Sequence, residues 1–141
     1  MERREFLRAS CSLCMILGSG LVMSELSSCS SLPIYKTVMS NNTVAVPLSL
    51  FVENDFHIIR PNNFEYDIAL RRLDDGSYTA ILLRCTHADN QLTYTGSEYF
   101  CSVHGSAFDT LGTVRHGPAQ RPLQKLQTQI SNNDILISIP K

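Results

Sequence analysis

Residues 85–109 read CTHADNQLTYTGSEYFCSVHGSAFD. This run holds two cysteines and two of the chain's four histidines, spaced as Cys85-x-His87 and Cys101-x-x-His104. Cys85 directly follows the apolar stretch AILLR, and YFCS is a short strand-like run leading into Val103-His104-Gly105. Both Cys-His pairs therefore fall on loops where strands stop, a common place for functional sites.

Outward from this run the pattern stays near period two. Val44, Val46, Leu48 and Leu50 share one face of an extended segment, and Pro47 moves that strand to an edge or a bulge. FHIIRP is a short apolar strand ended by Pro61. EYDIALRRL and SYTAILLR flank an Asp-Asp-Gly turn and predict a hairpin. LQTQI and ILISI flank SNND and predict a second, with Ile135, Ile137 and Ile139 on one face. Several short strands at regular spacing predict an all-β sandwich or small barrel, with no internal repeat.

The 141 residues suffice for one domain plus a leader, and such a domain buries a core without disulfides. Net charge is −1 with Lys and Arg scattered along the chain, which argues against nucleic acid as a partner. Five cysteines is an odd count that their positions explain. Cys11 and Cys14 lie in an apolar N-terminal run, Cys29 follows ELSS, and only Cys85 and Cys101 lie in the expected folded body. A disulfide framework is a poor reading of that distribution.

The first 28 residues read as an export signal. Arg3, Arg4 and Arg8 precede an uncharged stretch from Ala9 to Ser24, shorter than the roughly 20 apolar residues that span a membrane. Arg3-Arg4-x-Phe6-Leu7 is similar to the twin-arginine consensus, and Leu26-Ser27-Ser28-Cys29 resembles a lipobox whose Cys becomes a lipidated N-terminus. The alternative is an uncleaved anchor helix; either tethers the domain to a membrane on the exported side. Residues 29–42, with SSLPIYKTVMSNN, form a polar tether, and the domain is expected over 43–141.

Alternate residues of an extended chain point the same way, so Cys-x-His can present both side chains together. Cys-x-x-His needs a tighter bend, which Gly105 permits. Two thiolates and two neutral imidazoles fit a tetrahedral Zn ion, or a [2Fe–2S] cluster with two Cys on one iron and two His on the other. A zinc finger usually places Cys-x-x-Cys before its histidines, whereas here each loop offers one Cys and one His in the same order.

That order, with its flanks, resembles the Rieske iron–sulfur family over roughly Ala80 to Leu123. The matching pieces are CTH, CSVHGSAFD, the Leu111-Gly112-Thr113 turn, and GPAQRPL at 117–123, which is similar to the family's proline loop. The resemblance implies a Rieske-type antiparallel β-sandwich with a small cluster-binding subdomain of two loops. It implies that Cys85 and Cys101 hold the buried iron, that His87 and His104 hold the outer one near the surface, and that Ser106 donates to a cluster sulfur. Gly105, Gly117 and Pro118 would let backbone pack closely around the cluster.

The departures are informative. Thirteen residues separate His87 from Cys101, a little fewer than is usual in the family, which suggests a shortened hairpin. The disulfide of quinol-oxidising relatives falls at Asn90 and Val103, so it cannot form here, and their cluster-facing Tyr is Phe108. CTHADNQL looks more like ferredoxin-type members that serve oxygenases. With Ser106 present and the Tyr and disulfide absent, the expected reduction potential is intermediate or low within the Rieske range.

The remaining candidates take plainer roles. His57 reads as an ordinary strand residue and His116 as a surface loop residue. Asp109 reads as a loop brace, and Arg71-Arg72 with Asp74-Asp75 as a solvated hairpin end. No P-loop, dinucleotide fingerprint or supported Ser-His-Asp set occurs. The expectation is an exported, membrane-anchored lipoprotein that relays single electrons to a redox protein partner. The alternatives are the small subunit of an exported oxidoreductase, or a non-redox module with structural Zn. Whether it is itself an enzyme stays open.

Overall fold

The computed structural model describes residues 32–140. The expected export signal at 1–28 and Cys29 lie outside the described residues. The strands in chain order are β1 (Ile34–Thr37), β2 (Thr43–Pro47), β3 (Phe56–Pro61), β4 (Ile68–Arg72), β5 (Tyr78–Leu82), β6 (Thr93–Tyr94), β7 (Glu98–Phe100), β8 (Ala107–Asp109), β9 (Val114–His116), β10 (Lys125–Ser131) and β11 (Asp134–Ser138). They form a seven-stranded sheet ordered β1-β3-β4-β5-β10-β11-β2 and a four-stranded sheet ordered β6-β7-β8-β9. The all-β expectation holds, and both predicted hairpins form, as β4–β5 and β10–β11.

The large sheet changes layer along β10. Lys125 and Leu126 pair with β5, while Gln127 to Ser131 pair with β11. Side chains from the two halves then face one another. Val44 and Val46 of β2 and Ile135 and Ile137 of β11 meet Ile59, Ile68, Leu70, Ala80 and Leu82 in one core. The alternate residues of the same central strands, Ile58, Ala69 and Ile81, join a second core that contains Cys85 and Cys101. Strands β3–β5 are thus buried on both faces, which is why IAL and AILL read as continuous apolar runs rather than alternating ones. All pairings are antiparallel except β1 with β3.

Three details differ from expectation. Residues 34–37, inside the expected tether, form β1, so the folded body starts before Asn42. Asn41 and Asn42 both take positive φ (50° and 59°) in a tight turn into β2, a conformation that Asn tolerates. The β2 pattern stops at Pro47, and Leu48–Phe51 forms a short 3₁₀ turn whose Leu48 N–H donates to the Asn133 carbonyl. As Pro47 predicts, β2 lies at a sheet edge. Third, Arg71 is not a solvated hairpin residue. Its guanidinium lies 4.6 Å from the Phe56 ring centroid, and Phe56, Tyr94 and Tyr99 continue the contact toward the small sheet. Arg72 pairs with Asp55 at the surface, and Asp75 braces the hairpin by accepting from the Ser77 N–H and hydroxyl. His57 is buried, with Nε2 2.8 Å from the Leu50 carbonyl and its ring edge-on to Phe51.

The β6–β9 meander is inserted between β5 and β10. It presents three loops: 85–90 between β5 and β6, 101–106 between β7 and β8, and 117–124 between β9 and β10.

Candidate metal centre

The two Cys-His loops repeat one backbone device. In the first, the Cys85 carbonyl accepts from the Asp89 N–H at 2.9 Å, and the Cys85 N–H donates to the Asn90 carbonyl at 2.8 Å. In the second, the Cys101 carbonyl accepts from the Gly105 N–H at 2.9 Å, and the Cys101 N–H donates to the Ser106 carbonyl at 2.8 Å. The fifth residue of each loop closes the turn with positive φ, 53° at Asp89 and 76° at Gly105. Each loop therefore roots its cysteine at the base and exposes its histidine at the crown. Cys85 and Cys101 are fully buried beside Leu92, Tyr99, Phe108 and Leu123, while His87 and His104 are exposed. The two imidazoles meet edge to face, with centroids 4.8 Å apart and planes at 88°.

The third loop ties the other two together. The Thr86 hydroxyl donates to the Arg121 carbonyl at 2.6 Å, and the Ala119 N–H donates to the Ser106 hydroxyl oxygen at 3.2 Å. Gly117 packs against the second loop so closely that a Cβ there would sit 2.5 Å from Ser106 Cα and 2.7 Å from the Gly105 carbonyl oxygen. A side chain does not fit, so the glycine is what lets the proline loop close over the site. Among the described residues no disulfide joins the two loops, and the positions that the family resemblance matches to a bridge hold Asn90 and Val103. Cys85 and Cys101 are free thiols.

The donor set fits a two-iron core. Two imidazoles bound through one nitrogen each to a single tetrahedral ion place their centroids on the order of 5 Å apart at a steep angle, as the observed pair stands. Ser106 is fully buried, and its oxygen is occupied as an acceptor while, among the described residues, its hydroxyl hydrogen has no acceptor. A sulfide facing it would satisfy that donor. Among the described residues, no three of His, Cys, Asp and Glu converge where one ion could sit.

Of the residues singled out from the sequence, His87 and His104 meet ring to ring, Cys85 and Cys101 share one core, and Ser106 and Gly117 pack at the second loop, while His57, Arg72, Asp74 and Asp75 lie elsewhere. The carboxylate of Asp109 accepts from the Leu111 and Thr113 N–H groups at 2.9 and 2.8 Å, bracing the β8–β9 turn. Partial burial works to raise its pKa, but the Thr113 and Leu111 donors and the nearby Arg115 outweigh it and hold the pKa below the usual carboxylate value. His116 is exposed, in register with Ala107. Thr86 is the residue that sequence reasoning missed; the available signal was a hydroxyl between two ligand positions.

Loops that carry two buried free cysteines and two exposed, mutually packed histidines offer the donor types of an iron–sulfur protein with mixed Cys and His ligation. The chain belongs to the Rieske [2Fe-2S] domain family, whose profile matches residues 45–127, and it holds the single [2Fe–2S] cluster of that family. It is 37% identical over 60 residues to the cytochrome b6-f complex iron-sulfur subunit 2 of Nostoc sp., covering 41% of this chain and 34% of that protein. It is 35% identical over 69 residues to subunit 1 of Synechocystis sp., covering 46% and 39%. These matches span about a third of the curated relatives' length. The cyanobacterial plasma membrane Rieske protein PetC3 from Synechocystis PCC 6803 superposes with a TM-score of 0.54 at 26% identity, covering 68% of this chain and 99% of that one. A hyperthermophilic respiratory Complex III chain shares the fold at TM-score 0.52 and 18% identity, covering 93% and 95%.

Proposed function

We propose that this chain is a one-electron carrier whose cluster is held by Cys85 and Cys101 on the buried iron and by His87 and His104 on the outer iron. The observation that carries the reading is the pairing of two buried free thiols with two exposed imidazoles in edge-to-face contact. When bound, a [2Fe–2S] group supplies reversible one-electron chemistry at a potential raised by its neutral imidazole ligands. The chain's own residues do the rest. The Cys85 and Cys101 loops fix the thiols in an apolar, water-excluding pocket, and the Ser106 hydroxyl would donate to a cluster sulfide. The proline loop shields one side, and the His87 and His104 rings leave a short path to a partner at the surface.

In this reading the signal at 1–28 exports the chain, lipidated Cys29 anchors it to the membrane, and the few residues between Cys29 and Ile34 link the anchor to the sheet that begins at β1. The partner is a redox protein, either a cytochrome or a larger oxidoreductase chain. The second form, a subunit of such an assembly, is favoured by curated relatives that are named subunits of the cytochrome b6-f complex.

Electron paramagnetic resonance of the reduced, anaerobically purified chain tests the ligation. Two irons and two sulfides per chain with a rhombic signal of low average g are expected. One Zn and no visible absorbance would overturn it. Protein-film voltammetry is expected to give an intermediate or low Rieske potential, and mass spectrometry of the mature N-terminus to find acylated Cys29.

A further inference from the structure

We infer that the face around His87 and His104 is built to dock an acidic partner, a redox protein presenting carboxylates around its own electron-transfer edge. This rests on the reading above and adds the chemistry of the partner.

The charges separate along the strand direction. Strand β5 runs from the β4–β5 hairpin straight into Cys85, so Asp74 and Asp75 in that hairpin lie at the end away from the metal centre. The Arg72 N–H donates to the Asp55 carbonyl, which puts Glu53 and Asp55 at the same far end. Strand β10 starts beside Ile81, near the centre, and runs away from it, so its turn carries Asp134 to the far end as well. Five carboxylates therefore gather there, with Arg72 pairing one of them.

The near end is not acidic: Arg60 pairs with Asp67 there, and the exposed Glu65 and Asp89 near Tyr66 are met by two further arginines. Arg84 immediately precedes Cys85, and Arg121 lies in the proline loop whose carbonyl holds the Thr86 hydroxyl. Both arginines line one open cleft of about 200 Å³ with Thr86, Asp89, Pro122 and Gln124. Asp89 is its only carboxylate, 3.6 Å from Arg84 at an exposed position where pairing is weak. Among the described residues, Arg121 has no ion-pair partner. Arg84 is held in place over the Tyr66 ring, 5.7 Å from its centroid. The cleft adjoins His87, so its charges act on anything that approaches the imidazole edge within the roughly 8 Å over which salt leaves them effective. The chain's net charge is −1, so its total charge alone would repel an acidic partner. The polarity turns the cluster end toward that partner and the acidic end away from it.

Two readouts on the full, detergent-purified chain test this. Isothermal titration with poly-L-glutamate measures docking without electron transfer. Binding is expected to weaken roughly three-fold or more in R84Q and R121Q, to strengthen in D89N, and to vanish in high salt. D74N/D75N at the far end is expected to leave it within error. Stopped-flow oxidation of the reduced chain passes one electron to ferricyanide, giving ferrocyanide, or to tris(phenanthroline)cobalt(III), giving the cobalt(II) complex. R121Q is expected to slow the anionic oxidant and to leave the cationic one unchanged or faster. Equal rates for both oxidants in all variants, or poly-glutamate binding insensitive to R84Q, R121Q and D89N, would overturn the proposal. Tighter binding to anionic phosphatidylglycerol vesicles than to poly-glutamate, lost in R121Q, would overturn it in favour of a lipid surface. Poly-glutamate binding as expected, with no electron passed to either oxidant, would support the docking face while removing the carrier function.

Discussion

Gly117 offers a test with its own control. In Gly117→Ala the new methyl would sit 2.5 Å from Ser106 Cα, 2.7 Å from the Gly105 oxygen and 2.8 Å from the Ser106 nitrogen, all backbone atoms of the second ligand loop. None can rotate aside, so the proline loop has to lift. Overpacking against rigid neighbours costs about 1–3 kcal/mol, and the positive φ of 98° adds about 1–2 kcal/mol for an L side chain. Gly96 has nearly the same φ, 100°, but a Cβ there meets nothing within 4 Å. Gly96→Ala therefore carries the backbone cost alone, and the difference between the variants isolates the steric part. For a domain near 100 residues this difference lowers the thermal midpoint by roughly 5–15 °C. Lifting the loop also stretches the Ala119–Ser106 bond and opens the pocket, so G117A should lose visible absorbance in air faster than G96A. Circular dichroism melts and absorbance decay at fixed temperature measure both. Equal midpoints and equal decay rates in the two variants would refute the close packing of loop on loop.

Three further outcomes follow from single side chains. Ser106→Ala removes the buried donor and is expected to lower the reduction potential by roughly 50–100 mV, since a bond to a charged acceptor is worth about 1.5–3 kcal/mol and part of it is lost in both oxidation states; voltammetry reads it, and an unchanged potential would place the hydroxyl away from the cluster. Tyr99 is buried, and burial raises its pKa to about 12; with an unfolded value near 10, the stability it contributes is complete below pH ~10 and is lost as pH rises through the folded value, up to roughly 2–3 kcal/mol. Tyr99→Phe should flatten stability in that window in alkaline denaturation, and a steep wild-type-like loss in the variant would count against it. Asp109→Asn keeps an acceptor but no charge, and should cost about 1 kcal/mol at neutral pH; because the folded pKa is depressed, the wild-type advantage is present above the usual carboxylate pKa and disappears as pH falls through the folded value, so urea melts of the two proteins should converge in acid.

What the sequence made legible was whatever is local in the chain. Asp-Gly and Asn-Asn turns, alternating Ile in ILISI, and the Cys-x-His and Cys-x-x-His spacings each depend on a few neighbouring residues. Of the residues named from those spacings, the two histidines meet ring to ring and the two cysteines share one core. What stayed hidden depends on distant partners. Strand β1 is short and half exposed, and only its pairing with β3 makes it a strand. Leu48 and Leu50 continue the β2 pattern in sequence but leave it in space, because Pro47 ends the ladder and Asn133 takes the next N–H. Arg71 is four residues from Asp75 in the chain, yet it is drawn inward by Phe56 from another strand. The double burial of β3–β5 was visible as unbroken apolar runs, but which layer lay on each side was not.

The two ligand loops have no covalent link, and the geometry gives a physical account of how they hold station without one. Each loop is internally closed by the same two backbone bonds on its cysteine, so each is a rigid unit by itself. Their relative placement then needs only a third body that touches both. The proline loop supplies it, accepting from Thr86 of one loop and donating to Ser106 of the other, with Gly117 seated on the backbone between. A disulfide would lock the loops more strongly, chiefly by restricting the unfolded chain. Hydrogen bonds restrict only the folded state, so the burden of positioning falls on how closely the three backbones pack. That closeness is what a single methyl group at Gly117 would disturb.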